Sequence, residues 1–146
     1  MSKSNTFENE LLGLLFNNTD IAGIGDAGGL QNSAVAGSFY IALHTADPGE
    51  AGTAATNEAA YGSYARVAVA RSGAGWTVSG ATATNAAQIS FPECTSGSET
   101  ITYVSITTAS SGASKIIYSG ALTASRGISS GITPLFAINA LTVTED

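Results

Sequence analysis

Only one stretch of the chain repeats its apolar residues at helical spacing. Phe7, Leu11, Leu14 and Leu15 fall on a single stripe, and Leu12 and Phe16 widen it. Asn5 followed three residues later by Glu8 has the form of a capping box, and Glu8 and Glu10 lie near the positive end of the helix macrodipole. Asn17 and Asn18 suit a helix stop. The spacing therefore predicts a helix over 4–17. Its stripe is more apolar than a short surface helix needs, so it is expected to dock on its own β-domain or on a neighbouring subunit.

From residue 38 onward the period changes to that of strands. Ser38-Phe39-Tyr40-Ile41-Ala42-Leu43-His44 is rich in residues that suit a pleated, half-buried surface, and Asp47-Pro48-Gly49 is a turn signal. The low-charge stretch 50–60 reads as a flexible arm between this strand and a returning one, Tyr61 to Arg71. Further strand-like runs follow at Gly75–Val78, Ala81–Phe91, Thr100–Thr107, Ser114–Thr123, Leu135–Ala140 and Leu141–Thr144. Ser/Gly clusters separate them, at Thr95–Ser98, Ser110–Ala113, Ser125–Gly127 and Ser129–Gly131. About eight short strands with turn signals at this spacing predict an all-β, single-domain β-sandwich or jelly roll carrying one N-terminal amphipathic helix. The expected division is a helical arm over 1–20 and a jelly-roll-like β-sandwich domain over 21–146.

Composition changes this picture in one respect. Charged residues make up 11% of the 146-residue chain, against about 25% in ordinary soluble domains. Ser, Thr, Ala, Gly and Asn take their place, which suits a surface that packs broadly against neighbours. The net charge is −6, and the basic residues Lys3, Arg66, Arg71, Lys115 and Arg126 are scattered, so no direct nucleic-acid contact is expected. No apolar run has the length to span a bilayer, and no signal peptide is evident at the N-terminus, so the reading predicts synthesis in the cytoplasm and no membrane partner. The lone Cys94 is expected to be a buried, inert thiol.

Candidate chemistry is thin. Gly23, Gly25 and Gly28 spell G-x-G-x-x-G, but after a helix rather than a strand and with no helix following, so the stretch reads as a loop. Gly127-Ile128-Ser129-Ser130-Gly131 matches a nucleophile elbow, yet no histidine lies C-terminal to it. His44 and Asp47 have the spacing of a base and its orienting acid, but no activated nucleophile accompanies them, and the reading favours a structural histidine with Asp47 setting the turn. One His and one Cys do not make a zinc set, and Asp20 and Asp26 lack the alternating oxygen ligands of a calcium loop. Glu93 and Glu99 are the nearest approach to a carboxylate pair. No catalytic, cofactor-binding or metal-binding residue is assigned. Arg66 is placed to pair with Glu58, and Trp76 to stack on Arg71. The aromatic and arginine cluster Tyr61, Tyr64, Arg66, Arg71 and Trp76 has the residue types that dominate interfaces. With Asp47 at the turn and Phe7, Leu11 and Leu15 on the helix, it forms the expected interface set.

Leu43-His44-Thr45-Ala46-Asp47-Pro48-Gly49, Asn57-Glu58, Tyr61, Tyr64-Ala65-Arg66-Val67-Ala68-Val69, Arg71-Ser72 and Trp76 resemble a family of small tailed-bacteriophage virion proteins. The opening helix, Gly25-Asp26, Ile89-Ser90-Phe91, Gly120-Ala121-Leu122 and Leu141–Asp146 extend the resemblance along nearly the whole chain. Members are often labelled tail-fibre proteins, while the size and all-β character are similar to capsid cement or decoration proteins. The resemblance implies a non-enzymatic virion protein on the capsid exterior, with the major capsid protein and further copies of itself (a dimer or trimer) as partners. A tail-fibre or tail-associated adhesin subunit is the alternative it leaves open.

Overall fold

Ser4, one residue earlier than the sequence suggested, caps the N-terminal helix. Its Oγ accepts from the Phe7 N–H at 3.3 Å, and helix α1 runs Asn5–Asn17. A hydroxyl oxygen in extended backbone answers an orphan amide of the first turn, which makes Asn5 the first helical residue rather than the cap. Asn18 ends the helix in the left-handed region at φ 54°, and the Thr19 N–H returns to the Gly13 carbonyl. The structure, a computed structural model, describes all residues, Met1–Asp146.

Nine strands follow: β1 (Ser38–His44), β2 (Val67–Ala70), β3 (Trp76–Ser79), β4 (Thr82–Asn85), β5 (Ile89–Ser90), β6 (Ser98–Thr107), β7 (Ile116–Ser129), β8 (Leu135–Phe136) and β9 (Thr142–Thr144). They form a four-stranded sheet in the order β2-β1-β6-β7, a three-stranded sheet β3-β4-β9 and the pair β5-β8. The all-β expectation with a single N-terminal helix holds. The chain gathers into two compact units interleaved along the sequence. One comprises Met1–Ser38, Ala70–Gln88 and Phe136–Asp146, the other Phe39–Val69 and Ile89–Leu135.

In the first unit α1 packs on β3 and β4. The line it buries is Glu8, Leu12 and Phe16, spaced by four and therefore stacked on one face. Phe7, Leu11, Leu14 and Leu15, expected at the centre of the stripe, are only half-buried. Trp76 explains the rotation. It is fully enclosed, and its ring lies 4.6 Å from that of Phe16, so the helix turns its Phe16 line toward the largest side chain of the unit. Asn85 is buried at the end of β4. Its Nδ2 donates to the carbonyls of Ala87 (2.7 Å) and Ala137 (2.8 Å), and its Oδ1 accepts from the Leu141 N–H (2.9 Å), tying the C-terminal segment down.

The second unit is built on the antiparallel β1–β6 ladder, with Ile41 opposite Ile106 and Leu43 opposite Val104. Phe39, Ile41, Leu43, Val104 and Ile106 share one face and are buried. On the other face Ala42, His44, Ser105 and Thr107 are also buried. The cover over that second face was expected to be a flexible arm over 50–60 and is instead pinned. Ala54 is buried and donates to the Ser114 carbonyl at 2.9 Å, Thr45 donates to Asn57 (2.8 Å), and Ala59 to Leu43 (2.9 Å). The Ala60 N–H meets both Glu99 carboxylate oxygens, at 2.9 and 3.0 Å. A stretch that carries this many backbone bonds covers the sheet; it does not reach out from it.

Several strand expectations change in length; the run Leu135–Ala140 is strand only over β8, Leu135–Phe136. The run Tyr61–Arg71 is a turn through Tyr64 with strand only at β2, because Ser63 takes a left-handed φ of 73° and Tyr64 donates back to Tyr61. The run Ala81–Phe91 breaks into β4 and β5 around the bonds made by Asn85. In contrast, Ser125-Arg126-Gly127, expected as a turn, lies inside β7, where ladder pairing to Thr100 and Ile101 overrides the local signal. Leu12→Ala is expected to destabilise the protein by about 2–5 kcal/mol, and Leu11→Ala by roughly 1 kcal/mol, in urea denaturation, since only Leu12 leaves a cavity beneath α1.

Candidate functional site

Three of the residues expected to meet a partner are enclosed. Tyr61, Arg66 and Trp76 are each buried within their own unit, which corrects the expectation that they form an aromatic and arginine contact surface. Trp76 lies beneath α1 and, for all its burial, its Nε1–H finds no hydrogen-bond partner. Tyr61 donates to the Pro92 carbonyl at 3.1 Å, and its ring meets Tyr64 edge-on at 5.3 Å. Tyr64 is half-buried and stacks on Phe91 with centroids 6.3 Å apart. Burial pushes the Tyr61 phenol up to about 12 and raises that of Tyr64 as well.

Arg66 is the polar centre of the second unit. Its Nε donates to Glu58 Oε1 at 2.6 Å and its Nη2 to Glu58 Oε2 at 2.7 Å, a two-point clasp of the carboxylate. Nη1 donates to the Ala109 carbonyl and to Ser114 Oγ, both at 3.0 Å, and Nη2 also reaches the Gly112 carbonyl at 2.7 Å. A guanidinium has five N–H groups, so every donor is satisfied. The hydrogen bonds to Glu58, ahead of any cost of burial, raise the Arg66 pKa further, so the charge is permanent. Tyr64 joins the cluster from the other side: its OH donates to Glu58 Oε1 at 3.1 Å and accepts from the Leu43 N–H at 3.0 Å. The pairing of Arg66 with Glu58 read from the sequence is present, and it closes the 108–115 turn and the 50–60 cover onto β1.

His44 is fully enclosed beneath that cover. Its Nδ1 lies 2.9 Å from the Thr56 carbonyl and its Nε2 2.7 Å from Ser105 Oγ. A carbonyl can only accept, so Nδ1 carries the proton and Nε2 accepts from the serine. The pair has the distance of a nucleophile and its base, but Ser105 is as enclosed as the imidazole, and a carbonyl stands where an orienting acid would be. No substrate reaches it. Burial lowers the His44 pKa below its ordinary value of 6.5 and outweighs the neighbouring Thr56 carbonyl and Glu58, which act the other way. The exposed Asp47 sets the turn as expected: its Oδ1 accepts from the Gly49 N–H at 2.8 Å.

In the first unit Arg71 is half-buried, and its guanidinium serves the C-terminal end of α1. Nε donates to the Leu15 carbonyl (2.6 Å), Nη2 to Leu14 (2.7 Å) and Nη1 to Ala36 (3.0 Å). The last turn of the helix contains no basic residue of its own, so this distant arginine supplies the cation its dipole favours. The glycine-rich stretch after the helix is a loop, as read, and its base is fixed. Ile21 and Leu30 exchange backbone bonds at 2.9 and 2.8 Å, and a Cβ on Gly29 would collide with the Ile21 carbonyl. Asp20 Oδ1 accepts from the Asn32 N–H (2.6 Å) and Asp26 Oδ1 from the Gly28 N–H (2.8 Å), so both carboxylates fasten the loop backbone. Cys94 is buried and its thiol donates to the Ser96 carbonyl.

Several apolar side chains remain uncovered. In the first unit the half-buried helix residues Phe7, Leu11, Leu14 and Leu15 are accompanied by exposed Ile24, Leu30 and Val35, the last at 81% exposure. In the second, Ile132 and Leu135 are exposed. Sequence reasoning did not single out Ile24, Leu30, Val35 or Ile132. The available signal was isolated aliphatic residues in stretches otherwise made of Gly, Ala, Ser and Asn, where no core of their own can cover them.

The fold is all-β with one N-terminal helix, and its imidazole and two of its arginines bond groups of their own chain. Nearly the whole chain, residues 2–144, matches the family described as Podophage GP4 fiber I protein gp80, and the protein belongs to that family of phage structural proteins. No curated protein sequence matches it.

Removing one side of the Arg66 clasp strands the other in a buried site. Glu58→Ala is expected to cost about 3–5 kcal/mol, and Arg66→Lys at least about 2 kcal/mol, because three donors cannot meet five acceptors; urea denaturation of both variants checks this. For His44 the unfolded chain takes up a proton that the folded one refuses. Stability is therefore complete above about pH 6.5 and falls below it by up to about 1.4 kcal/mol per pH unit. Denaturation curves between pH 8 and 5.5 are expected to show this slope in the wild type and to lose it in His44→Gln.

Proposed function

We propose that this protein is a non-enzymatic structural subunit of a phage virion fibre, held in place by apolar and backbone contacts with neighbouring subunits. The observation that carries this reading is the match to a fibre-protein family over residues 2–144. The half-buried helix face Phe7, Leu11, Leu14 and Leu15 supports it, as does the exposed Val35 beside so little charge. Of the residues expected at the interface, Phe7, Leu11 and Leu15 are the ones whose side chains reach this face, while Asp47 is exposed on the second unit.

A second reading is favoured by the absence of any shaft repeat or heptad in the sequence. In it the protein is a capsid cement or decoration protein on the outside of the head, bound to the major capsid protein and stabilising the assembled shell by mass action. Both readings place the same apolar surface against virion subunits and differ in the partner.

Copy number relative to the major capsid protein, from mass spectrometry of purified virions, separates them. A few copies per particle is the result expected for a fibre; a simple lattice fraction of the capsid protein would establish the cement reading instead. Virions carrying Leu11→Ser with Leu15→Ser are expected to lose most of the protein from the particle, with the purified variant retaining its far-UV circular dichroism. Full incorporation of that variant would remove the helix face from the interface.

A further inference from the structure

The cover over the β1–β6 sheet is held by polar bonds and by very little apolar area. Its two ends are fixed, by His44 in the ladder with Tyr103 and by the buried Tyr61. Between them only Pro48, Ala54 and Ala59 are buried. Side chains this small contribute far less on burial than the leucines and aromatics of a core. Backbone amides dock the cover instead: Thr45 on the Asn57 carbonyl, Ala54 on Ser114, Ala59 on Leu43, and Ala60 on the Glu99 carboxylate. A segment with few buried apolar contacts and many hydrogen bonds opens more cheaply than the sheet it lies on.

His44 joins the middle of this cover to the sheet. Its Nδ1 donates to the Thr56 carbonyl at 2.9 Å, and its Nε2 accepts from Ser105 Oγ of β6 at 2.7 Å. A proton added at Nε2 turns that acceptor into a donor, so Ser105 must give up its own donation. It also places a second cation in an enclosed cluster that already holds the Arg66 guanidinium. Tyr103 faces the imidazole from β6, Glu58 from the cover, and Tyr64 and Arg66 from the segment before β2. Glu58 is the only carboxylate among these groups, and it is committed. Both its oxygens accept from Arg66, and Oε1 accepts from the Tyr64 OH as well. An imidazolium here has no counter-ion of its own, and water is its remaining source of solvation.

We propose that the cover over 45–60 is an acid-sensitive lid, released from the β1–β6 sheet when His44 takes up a proton, while the sheet itself stays folded. Loss of overall stability in acid requires only that the unfolded chain bind the proton. Here the opened lid binds it first, so the lid yields before the molecule does. The closed form refuses the proton, and the open form accepts it near the ordinary imidazole value of 6.5, so pH below that value favours opening. Arg66 keeps the rest of the unit closed. When Glu58 leaves with the lid, the guanidinium still holds the Ala109 and Gly112 carbonyls and Ser114 Oγ. Release uncovers His44, Ser105 and the Leu43 carbonyl, which are closed to any partner while the lid is down.

The test is amide hydrogen exchange on the purified full chain, followed by NMR from neutral to mildly acidic pH at several low urea concentrations and corrected for intrinsic exchange rates. The amides of Thr45, Ala54, Ala59 and Ala60 are expected to share a protection lower than that of the β1–β6 ladder. Their opening constant is expected to rise about tenfold per pH unit below about pH 6.5, and to depend only weakly on urea, because a lid exposes little surface. In His44→Gln the same amides are expected to keep their neutral-pH protection throughout. Lid amides with the protection and urea dependence of the ladder overturn the proposal, since the cover then opens only with the whole unit. An opening constant indifferent to pH overturns it too, as does a pH dependence that survives in His44→Gln. The wild-type series decides the matter by itself if that variant does not fold.

Discussion

The clasp between Arg66 and Glu58 is the constraint on which the second unit depends. Glu58 belongs to the cover over β1, Arg66 precedes β2, and Ala109, Gly112 and Ser114 belong to the β6–β7 turn; one guanidinium bonds all of them. Desolvating an arginine is expensive, and it is tolerated here because the carboxylate and three further oxygens replace water at every N–H. Local propensity does not provide this closure. The segment 50–60 has no regular structure and no apolar run, and Ala54 is its one fully enclosed residue. Hydrogen bonding to a fixed charge holds the cover where hydrophobic burial does not, and the enclosure of His44 and Ser105 follows from it.

The same economy governs the first unit. Arg71 takes the carbonyls that α1 leaves unpaired, Asn85 collects the C-terminal segment, and Asn18 bonds both the N–H and the carbonyl of Ser33 at 2.9 and 2.8 Å, as a strand neighbour would. Lys3 pairs with Glu145 at 3.1 Å. Three of the five basic residues thus fasten the chain to itself, which leaves Lys115 and Arg126 exposed. With eleven acidic residues against five basic ones, the net charge of −6 makes the outer surface acidic.

Where local pattern and tertiary structure agree, the sequence was readable. The helix, strand β1, the Asp47 turn, the burial of Cys94 and the pairing of Arg66 with Glu58 all follow from spacing and residue chemistry. The failures share a cause. The stripe of leucines points to the wrong helix face, because the position of Trp76 decides which line turns inward. The 50–60 segment has the composition of an arm, and some of the bonds that pin it come from far along the chain, from Glu99 and Ser114, which no local pattern announces. Aromatic and arginine residues clustered at 61–76 have the composition of an interface, yet the same properties, large area and many donors, serve a core equally well. Composition does not distinguish the two; burial does.

That distinction bears on what kind of contact the protein makes. If Tyr61, Arg66 and Trp76 were exposed, binding would concentrate on a few anchors, as in ordinary heteromeric interfaces. With them enclosed, no exposed aromatic or arginine anchor of that cluster remains, and the uncovered apolar side chains are scattered aliphatic ones. Contacts of this kind are individually weak and are made effective by repetition, since each copy held in an assembly is held again by its neighbours at high effective concentration. An isolated subunit of such a protein gains little by binding one partner and much by joining an array. A virion subunit needs that behaviour, because it must remain dispersed during synthesis and become fixed only when the surrounding lattice or fibre is present.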